Sequence, residues 1–132
     1  MRSTRLDTQE QHDRGLALRT EMFGREAVEK RMNAFDEFGK PLQHVINTYA
    51  YGDVWQRSAL PLATKSLVMV GMMAAAGHPN ELRVHLKGAL KNGCSVEQIQ
   101  EVLLLLTLYC GIPAANEAHR VAADVLREEK LI

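Results

Sequence analysis

The chain has 132 residues, 46% of them apolar, which is enough for one domain with a substantial core. Its 16 Lys and Arg residues balance its 16 Asp and Glu residues, so no basic surplus points to nucleic acid or to an anionic membrane. The start of the chain lacks the apolar stretch of a signal peptide, and no apolar run reaches the length of a membrane span. We therefore expect a single domain, residues 1–132, located in the cytoplasm.

The first half of the chain predicts three amphipathic helices followed by a loop. The expected helical ranges are 8–23, 25–38 and 41–50. Residues 51–60 hold the only tryptophan, Trp55, together with Arg57, and show no clean periodicity. We interpret this segment as a connecting loop. Because loops on a rigid scaffold often carry function, Trp55 and Arg57 are candidate site residues.

The second half of the chain predicts four more helices. Their expected ranges are 61–76, 80–91, 96–110 and 113–130. The first of the four is apolar nearly all round, as a buried central helix would be. Asn80 can cap the second helix, and Ser95 with Gln98 forms a capping box at the start of the third. No segment alternates as a strand does, so we predict an all-α fold of about six or seven helices.

Glu81 and His85 form the first candidate constellation. They stand four residues apart on a predicted helix, so the two side chains share one face. A carboxylate beside an imidazole is the basic unit of acid–base catalysis. The alternative is a surface pair that stabilises the helix by about a few tenths of a kcal/mol. Leu82, Leu86 and Ala89 border His85, which favours partial burial of the imidazole, and both interpretations stay open at this point.

Several other side chains could carry chemistry, each with a simpler alternative. Cys94 could be a nucleophile near a helix start, where the pKa of a thiol falls, or a small loop residue. Cys110 is expected to pack in the core. Tyr109 could donate a hydrogen bond into a cavity or be an ordinary buried tyrosine. His119 fits a boundary or an interface better than a catalytic role. The two cysteines form no CxxC pair, and the five histidines form no recognisable metal motif.

The segment from Glu81 to Ala122 resembles the carboxymuconolactone decarboxylase family. That family's pattern is E-x-x-x-H, then A-x-x-N-G, then E-x-I-x-E, then Y-x-G-x-P-A-A-N, and each part is present here. The matching residues are Glu81 and His85, Ala89-Leu90-Lys91-Asn92-Gly93, Glu97 with Ile99 and Glu101, and Tyr109 with Gly111 and Pro113-Ala114-Ala115-Asn116. Upstream, YAYGDVWQRSALPLATKSL resembles the family's Y-x-x-G-x-V-W-x-R-x-x-L segment. The likeness covers almost the whole chain.

The resemblance implies an all-helical bundle of the alkylhydroperoxidase D-like type, assembled as a homo-oligomer, either a trimer or a hexamer. Redox members of that wider superfamily use a CxxC followed by a histidine four residues later. Placing that histidine on His85 puts His78 and Glu81 at the two cysteine positions. The chain therefore lacks the redox pair, and the resemblance favours proton transfer over disulfide exchange.

The family's reaction converts 4-carboxymuconolactone to 3-oxoadipate enol-lactone in the β-ketoadipate pathway of protocatechuate and aromatic catabolism. The resemblance implies this decarboxylation without a cofactor or a metal. His85 is then the candidate proton donor, with Glu81 orienting it or sharing the proton. The candidate substrate-binding residues are Arg57 for a carboxylate, Trp55 as an apolar wall and Tyr109 as an oxyanion donor. The alternatives are a peroxidase-like redox protein and a non-catalytic ligand-binding oligomer of the same fold.

Overall fold

A computed structural model describes residues 8–132, and it is helical, without strands, over those residues. This confirms the predicted all-α class. The described residues form seven α-helices, which are α1 (Gln9–Phe23), α2 (Arg25–Met32), α3 (Lys40–Val45), α4 (Leu62–Ala76), α5 (Pro79–Lys91), α6 (Val96–Cys110) and α7 (Ile112–Glu128). A 3₁₀ turn (Asp36–Gly39) and a π-helix (Ile46–Val54) stand on either side of α3. The contacts divide the chain into two compact units, one up to Leu60 and one from Pro61 to Ile132.

The first unit is built on the packing of α1 against the π-helix. Thr8 caps α1, since its hydroxyl accepts a hydrogen bond from the Gln11 amide at 3.1 Å. The two helices meet backbone to backbone. A Cβ added at Gly15 would overlap the Asn47 carbonyl, and one added at Gly52 would lie 2.5 Å from the Gln11 carbonyl oxygen. Only glycine fits this approach.

Two predictions for the first unit were wrong. The helix expected at 25–38 ends at Met32, and a 3₁₀ turn follows at Asp36–Gly39. The loop expected at 51–60 is helical up to Val54, because the π-helix continues through its first four residues. A π-helix bonds each N–H to the fifth carbonyl back, so its apolar side chains do not recur at the α-helical spacing. The helix predicted at 41–50 therefore stops four residues before the π-helix ends.

The second unit places α5 against α4 and α7, and α6 against the same two helices. Its core contains Val70, Ala74, Leu82, Leu86, Ala89, Cys94, Ile99, Leu103, Leu106, Ala118, Ala122 and Val125. The capping box at α6 is confirmed. The Ser95 hydroxyl accepts from the Gln98 amide at 3.1 Å, and the Gln98 side chain accepts from the Ser95 amide at 2.9 Å. The helix predicted at 96–110 is confirmed at both ends.

Two expectations for the second unit were wrong. Asn80 lies inside α5, which begins at Pro79, and His78 occupies the cap position without a side-chain hydrogen bond. A proline suits the first helical position because it has no N–H to leave unpaired. Helix α4 buries Val70 and Ala74, but Val68 and Met72 on its other face are 46% and 55% exposed. Helix α4 thus has apolar side chains on two faces, and the core of the second unit covers only the face with Val70 and Ala74.

Candidate active site

Helix α5 carries His85 into the interior of the second unit. The side chain is buried, with 7% of the residue exposed, among Leu82, Leu86 and Ala89, which are almost fully covered. Glu81, one turn earlier, is exposed. The helix thus carries a buried imidazole and an exposed carboxylate one turn apart, which are the two kinds of group that acid–base chemistry uses.

The end of α5 is tied to α4 by a polar contact that the sequence analysis did not single out. The Asn92 side-chain amide donates to the Ser66 hydroxyl at 3.1 Å, and Ser66 is only 2% exposed. A serine within an apolar helix was the available signal, since a buried hydroxyl needs a partner. The contact fixes the helix that carries His85.

A second anchor joins α5 to α7. Arg83 donates to Glu128, and the Lys87 ammonium lies 3.3 Å from the other oxygen of the same carboxylate. The hydrogen bond from Arg83 is the main reason that the pKa of Glu128 is lowered, and the contact with Lys87 adds to the effect. The same contact raises the pKa of Arg83. This ion-pair cluster is well suited to holding α5 in place, with His85 on its buried side.

The two cysteines differ in a way that bears on redox chemistry. Cys94 is buried, its thiol donates to the Ala63 carbonyl at 3.2 Å, and burial raises the pKa of the thiol. A raised pKa leaves less thiolate, so Cys94 is a poor nucleophile. Cys110 is exposed, so the expectation that it packs in the core was wrong.

Tyr109 lies at the end of α6 and is 85% exposed, which rules out one of the two alternatives for it, an ordinary buried tyrosine. Together with Cys110 it borders an open groove of about 420 Å³ between α4 and α6. The groove is mainly apolar, with Leu67, Met72 and Leu105 in its walls.

Trp55 and Arg57 follow the end of the π-helix in the first unit. The Trp55 ring stacks on the ring of Tyr51, with 5.8 Å between centroids and 17° between planes. The Arg57 guanidinium lies 3.5 Å from an Asp53 carboxylate oxygen, and 70% of the Arg57 side chain is exposed. The structure therefore groups an aromatic surface and a solvent-accessible cation at one helix end, which suits an organic anion.

Among residues 8–132, no three or more His, Cys, Asp or Glu side chains stand where they could hold a metal ion together. None of the described helices combines the length and hydropathy that crossing a membrane requires.

The fold and the residues on α5 to α7 place this chain in a family of helical decarboxylases. The profile of the carboxymuconolactone decarboxylase family matches residues 40–124, which is more than half of the chain, so the chain belongs to that family. This confirms the resemblance inferred from the sequence motifs.

Individual relatives carry decarboxylase names. The 4-carboxymuconolactone decarboxylase of Acinetobacter baylyi is 33% identical over 123 residues, 93% of this chain and 92% of that protein. The nitrosuccinic acid decarboxylase of Metarhizium robertsii is 33% identical over 116 residues, 88% of this chain and 81% of that protein. An uncharacterised 15.0 kDa protein of Paracoccus denitrificans is 28% identical over 81 residues, 60% of each chain.

Proposed function

We propose that this protein is a carboxy-lyase that removes carbon dioxide from a small organic acid without a cofactor, with 4-carboxymuconolactone as the first candidate substrate. One observation carries the proposal. A relative named for that reaction is similar over 93% of the chain, including the motif helix on which His85 is buried. A redox function is disfavoured by the buried Cys94 thiol, whose pKa is raised by burial.

The reaction needs an electron acceptor in the substrate. The bond between the ring carbon and the departing carboxylate breaks, and its electron pair moves through the adjacent double bond onto the lactone carbonyl oxygen. Carbon dioxide leaves as that bond breaks, and a proton then adds to the carbon next to the lactone carbonyl, which gives the enol-lactone. The protein has to hold the carboxylate that stays, stabilise the developing dienolate and deliver the proton. It should not hold the departing carboxylate strongly, since that would stabilise the ground state.

The two named relatives suggest a wider substrate class. In 4-carboxymuconolactone, one ring carbon bears both the departing carboxylate and a carboxymethyl group. In nitrosuccinic acid, one carbon bears a carboxylate, a carboxymethyl group and a nitro group, which accepts electrons as the lactone does. Both acids are thus succinates with an electron-accepting substituent at carbon 2. We include this class of acids in the proposal, and we expect the protein to recognise both acids by the carboxymethyl group that they retain.

The residues take these roles in the proposal. His85 delivers the proton, and Glu81 exchanges protons with water from its exposed position one turn away. Arg57 binds the retained carboxylate, for which its planar fork is suited, and Trp55 forms an apolar wall. Tyr109 is the candidate donor to the dienolate oxygen. Because Tyr109 is 85% exposed, that role requires something to cover it.

A second copy of the chain would supply that cover. We propose a homo-oligomer, a trimer or a hexamer, in which the apolar groove between α4 and α6 is buried. The support is the exposed apolar surface, which includes Met72 and Leu105 in the groove, at 55% and 57% exposed, and Leu108 next to Tyr109 on α6, at 79% exposed. Surfaces of this kind usually mark an interaction site. The cytoplasm remains the proposed location.

The test is incubation with 4-carboxymuconolactone and, in parallel, nitrosuccinate, following substrate loss and carbon dioxide release. We expect His85→Gln to lower kcat by about 10²- to 10⁴-fold, the usual contribution of general acid–base catalysis. Glu81→Gln should lower it less, since water can replace an exposed carboxylate. His119→Gln is the matched control, because His119 is exposed and its ring nitrogen Nδ1 bonds the Ala115 carbonyl of its own helix.

Three outcomes separate the alternatives. Full decarboxylation by both the His85→Gln and the Glu81→Gln variants would show that the site is wrong. Ligand-induced stabilisation without carbon dioxide release from either acid would favour the non-catalytic ligand-binding oligomer. A peroxidase activity that alkylation of both cysteines abolishes, with no carbon dioxide release from either acid, would favour the redox alternative.

A further inference from the structure

The end of the π-helix fixes the backbone that carries Trp55 and Arg57. The last carbonyl groups of a helix have no partners within it and need donors from elsewhere. Here each of the five carbonyls from Ala50 to Val54 accepts a hydrogen bond. The donors are Trp55 N to Ala50 O at 2.8 Å, Gln56 Nε2 to Tyr51 O at 3.0 Å, Arg14 Nη2 to Gly52 O at 2.9 Å, Gln56 N to Asp53 O at 3.1 Å and Arg57 N to Val54 O at 3.3 Å.

Two of these donors are side chains, and one of them comes from another helix. Arg14 reaches from α1 to the Gly52 carbonyl, at the place where Gly52 lets the two backbones approach closely. Its positive charge stands at the negative end of the π-helix, where a cation is stabilising. Gln56 bonds the Tyr51 carbonyl and also donates to the Arg14 carbonyl at 3.3 Å. Arg14 thus donates from α1 to the backbone of the π-helix, and Gln56 donates from beyond the π-helix to the backbone of α1.

The spacing of these bonds decides where the following side chains point. Trp55 N bonds Ala50 O, five residues back, which is the π spacing. A return to the α-helical spacing of four would rotate every later residue about the helix axis. Trp55 would then leave the face of Tyr51, and Arg57 would turn with it. The side-chain donors therefore hold a backbone form that the α-helix would otherwise replace.

We propose that Arg14 and Gln56 are positioning residues for the substrate. They hold the end of the π-helix so that Trp55 and Arg57 present an aromatic wall and a guanidinium fork in one fixed arrangement. The proposal rests on the proposed function in one respect, namely that Trp55 and Arg57 contact the retained carboxylate end of the acid. The positioning itself is a property of residues 8–60 and can be measured without substrate.

Trp55 provides that measurement because it is the only tryptophan in the chain. Its ring stacks on Tyr51 with centroids 5.8 Å apart, so its fluorescence reports the geometry of the π-helix end directly. A substitution that merely weakens folding would lower the melting temperature and leave the emission of the folded protein unchanged. A substitution that releases the π-helix end would shift that emission at temperatures well below melting.

The experiment compares Arg14→Met and Gln56→Met with the control Arg25→Met. All three remove donors and keep an apolar stem, but Arg25 bonds Glu29 on the surface of α2 and does not reach the π-helix end in the contacts of residues 8–132. We expect both test variants to shift the Trp55 emission and to raise KM for 4-carboxymuconolactone, with a loss of about 10- to 100-fold in kcat/KM, as misplaced binding groups cause. The value of kcat should change less than KM, since the lost interaction is uniform binding. Arg14→Lys, which keeps a cationic donor, should recover part of the loss.

The outcomes distinguish this inference from the proposed function. Arg57→Ala is measured in parallel. If Arg57→Ala raises KM while Arg14→Met and Gln56→Met keep both the emission and the KM of the wild type, the positioning role is wrong. If Arg57→Ala leaves KM unchanged, the substrate contact in the proposed function is wrong, and the emission alone decides whether the two side chains hold the helix end. Should Arg14→Met fail to fold, Gln56→Met decides, because Gln56 is exposed.

Discussion

At the scale of single residues, the two thiols show how position alone separates reactive from inert cysteine. Cys94 is buried with its thiol bonded to the Ala63 carbonyl, and burial raises the pKa of that thiol. Cys110 is exposed at the end of α6. We expect iodoacetamide to leave Cys94 unmodified in the native protein and to modify it only after denaturation, as mass spectrometry of the digested protein would show. Cys110→Ser should then take up no label under native conditions, and native labelling of Cys94 would contradict the assignment.

Glu128 gives a prediction about pH. Its pKa is below the ordinary value of 4.5 because Arg83, and secondarily Lys87, bond the charged carboxylate. A lowered pKa in the folded state means that the stabilisation is complete above 4.5 and is lost as the pH falls through the folded value. Glu128→Gln should therefore reduce the melting temperature at pH 7, and the gap from the wild type should close in acid below pH 4.5. Glu129→Gln, one residue further along the chain, is the control. If Glu128→Gln lowers the melting temperature equally at pH 7 and below pH 4.5, the ionised Glu128 carboxylate is not the source of the stabilisation.

At the scale of elements, α6 depends on the capping box at its start. Ser95 and Gln98 bond each other's backbone amides, and each bond satisfies a donor that the first turn leaves open. Ser95→Ala should lower the free energy of unfolding by about 1 kcal/mol, the usual value for an N-cap. Urea denaturation measures this. Ser58→Ala, at an exposed position outside the helices, should stay within about 0.5 kcal/mol of the wild type, as is usual for surface sites.

The same elements show which parts of the fold the sequence can predict. Helix α6 was predicted at both ends because Ser95 and Gln98 mark its start and Gly111 with Pro113 marks its stop, and these signals act locally. The π-helix was not predictable in this way. It is held by Gln11 and Arg14, whose side chains donate to the carbonyls of Thr48 and Gly52 from far away in sequence. A backbone form that depends on a distant partner leaves no periodic pattern of its own.

At the scale of the whole molecule, the candidate site was predictable only in part. The burial of His85 follows from its apolar neighbours on the same helix, and the structure bears it out. The exposure of Tyr109 and Cys110 does not follow, because an apolar helix such as α6 looks the same in sequence whether its outer face meets the protein's own core or another chain. The expected decarboxylation came from the family motif, because hydrophobic periodicity predicts helices and burial but not a reaction.

The outer face of α4 and α6 yields the last prediction, which concerns assembly. Leu108 is 79% exposed beside Tyr109, on a face where burial by a second copy would remove apolar area from water. Leu108→Glu places a charge there, and a buried unpaired charge costs several kcal/mol, so the assembly should dissociate. Sedimentation should show the wild type as a trimer or hexamer and the variant as a smaller species with reduced decarboxylation, since Tyr109 loses its cover. Leu131→Glu makes the same chemical change at a residue 49% exposed near the chain end and should keep the wild-type size. A wild type that sediments as a monomer, or a Leu108→Glu variant that matches the wild type, would show that this face does not hold copies together.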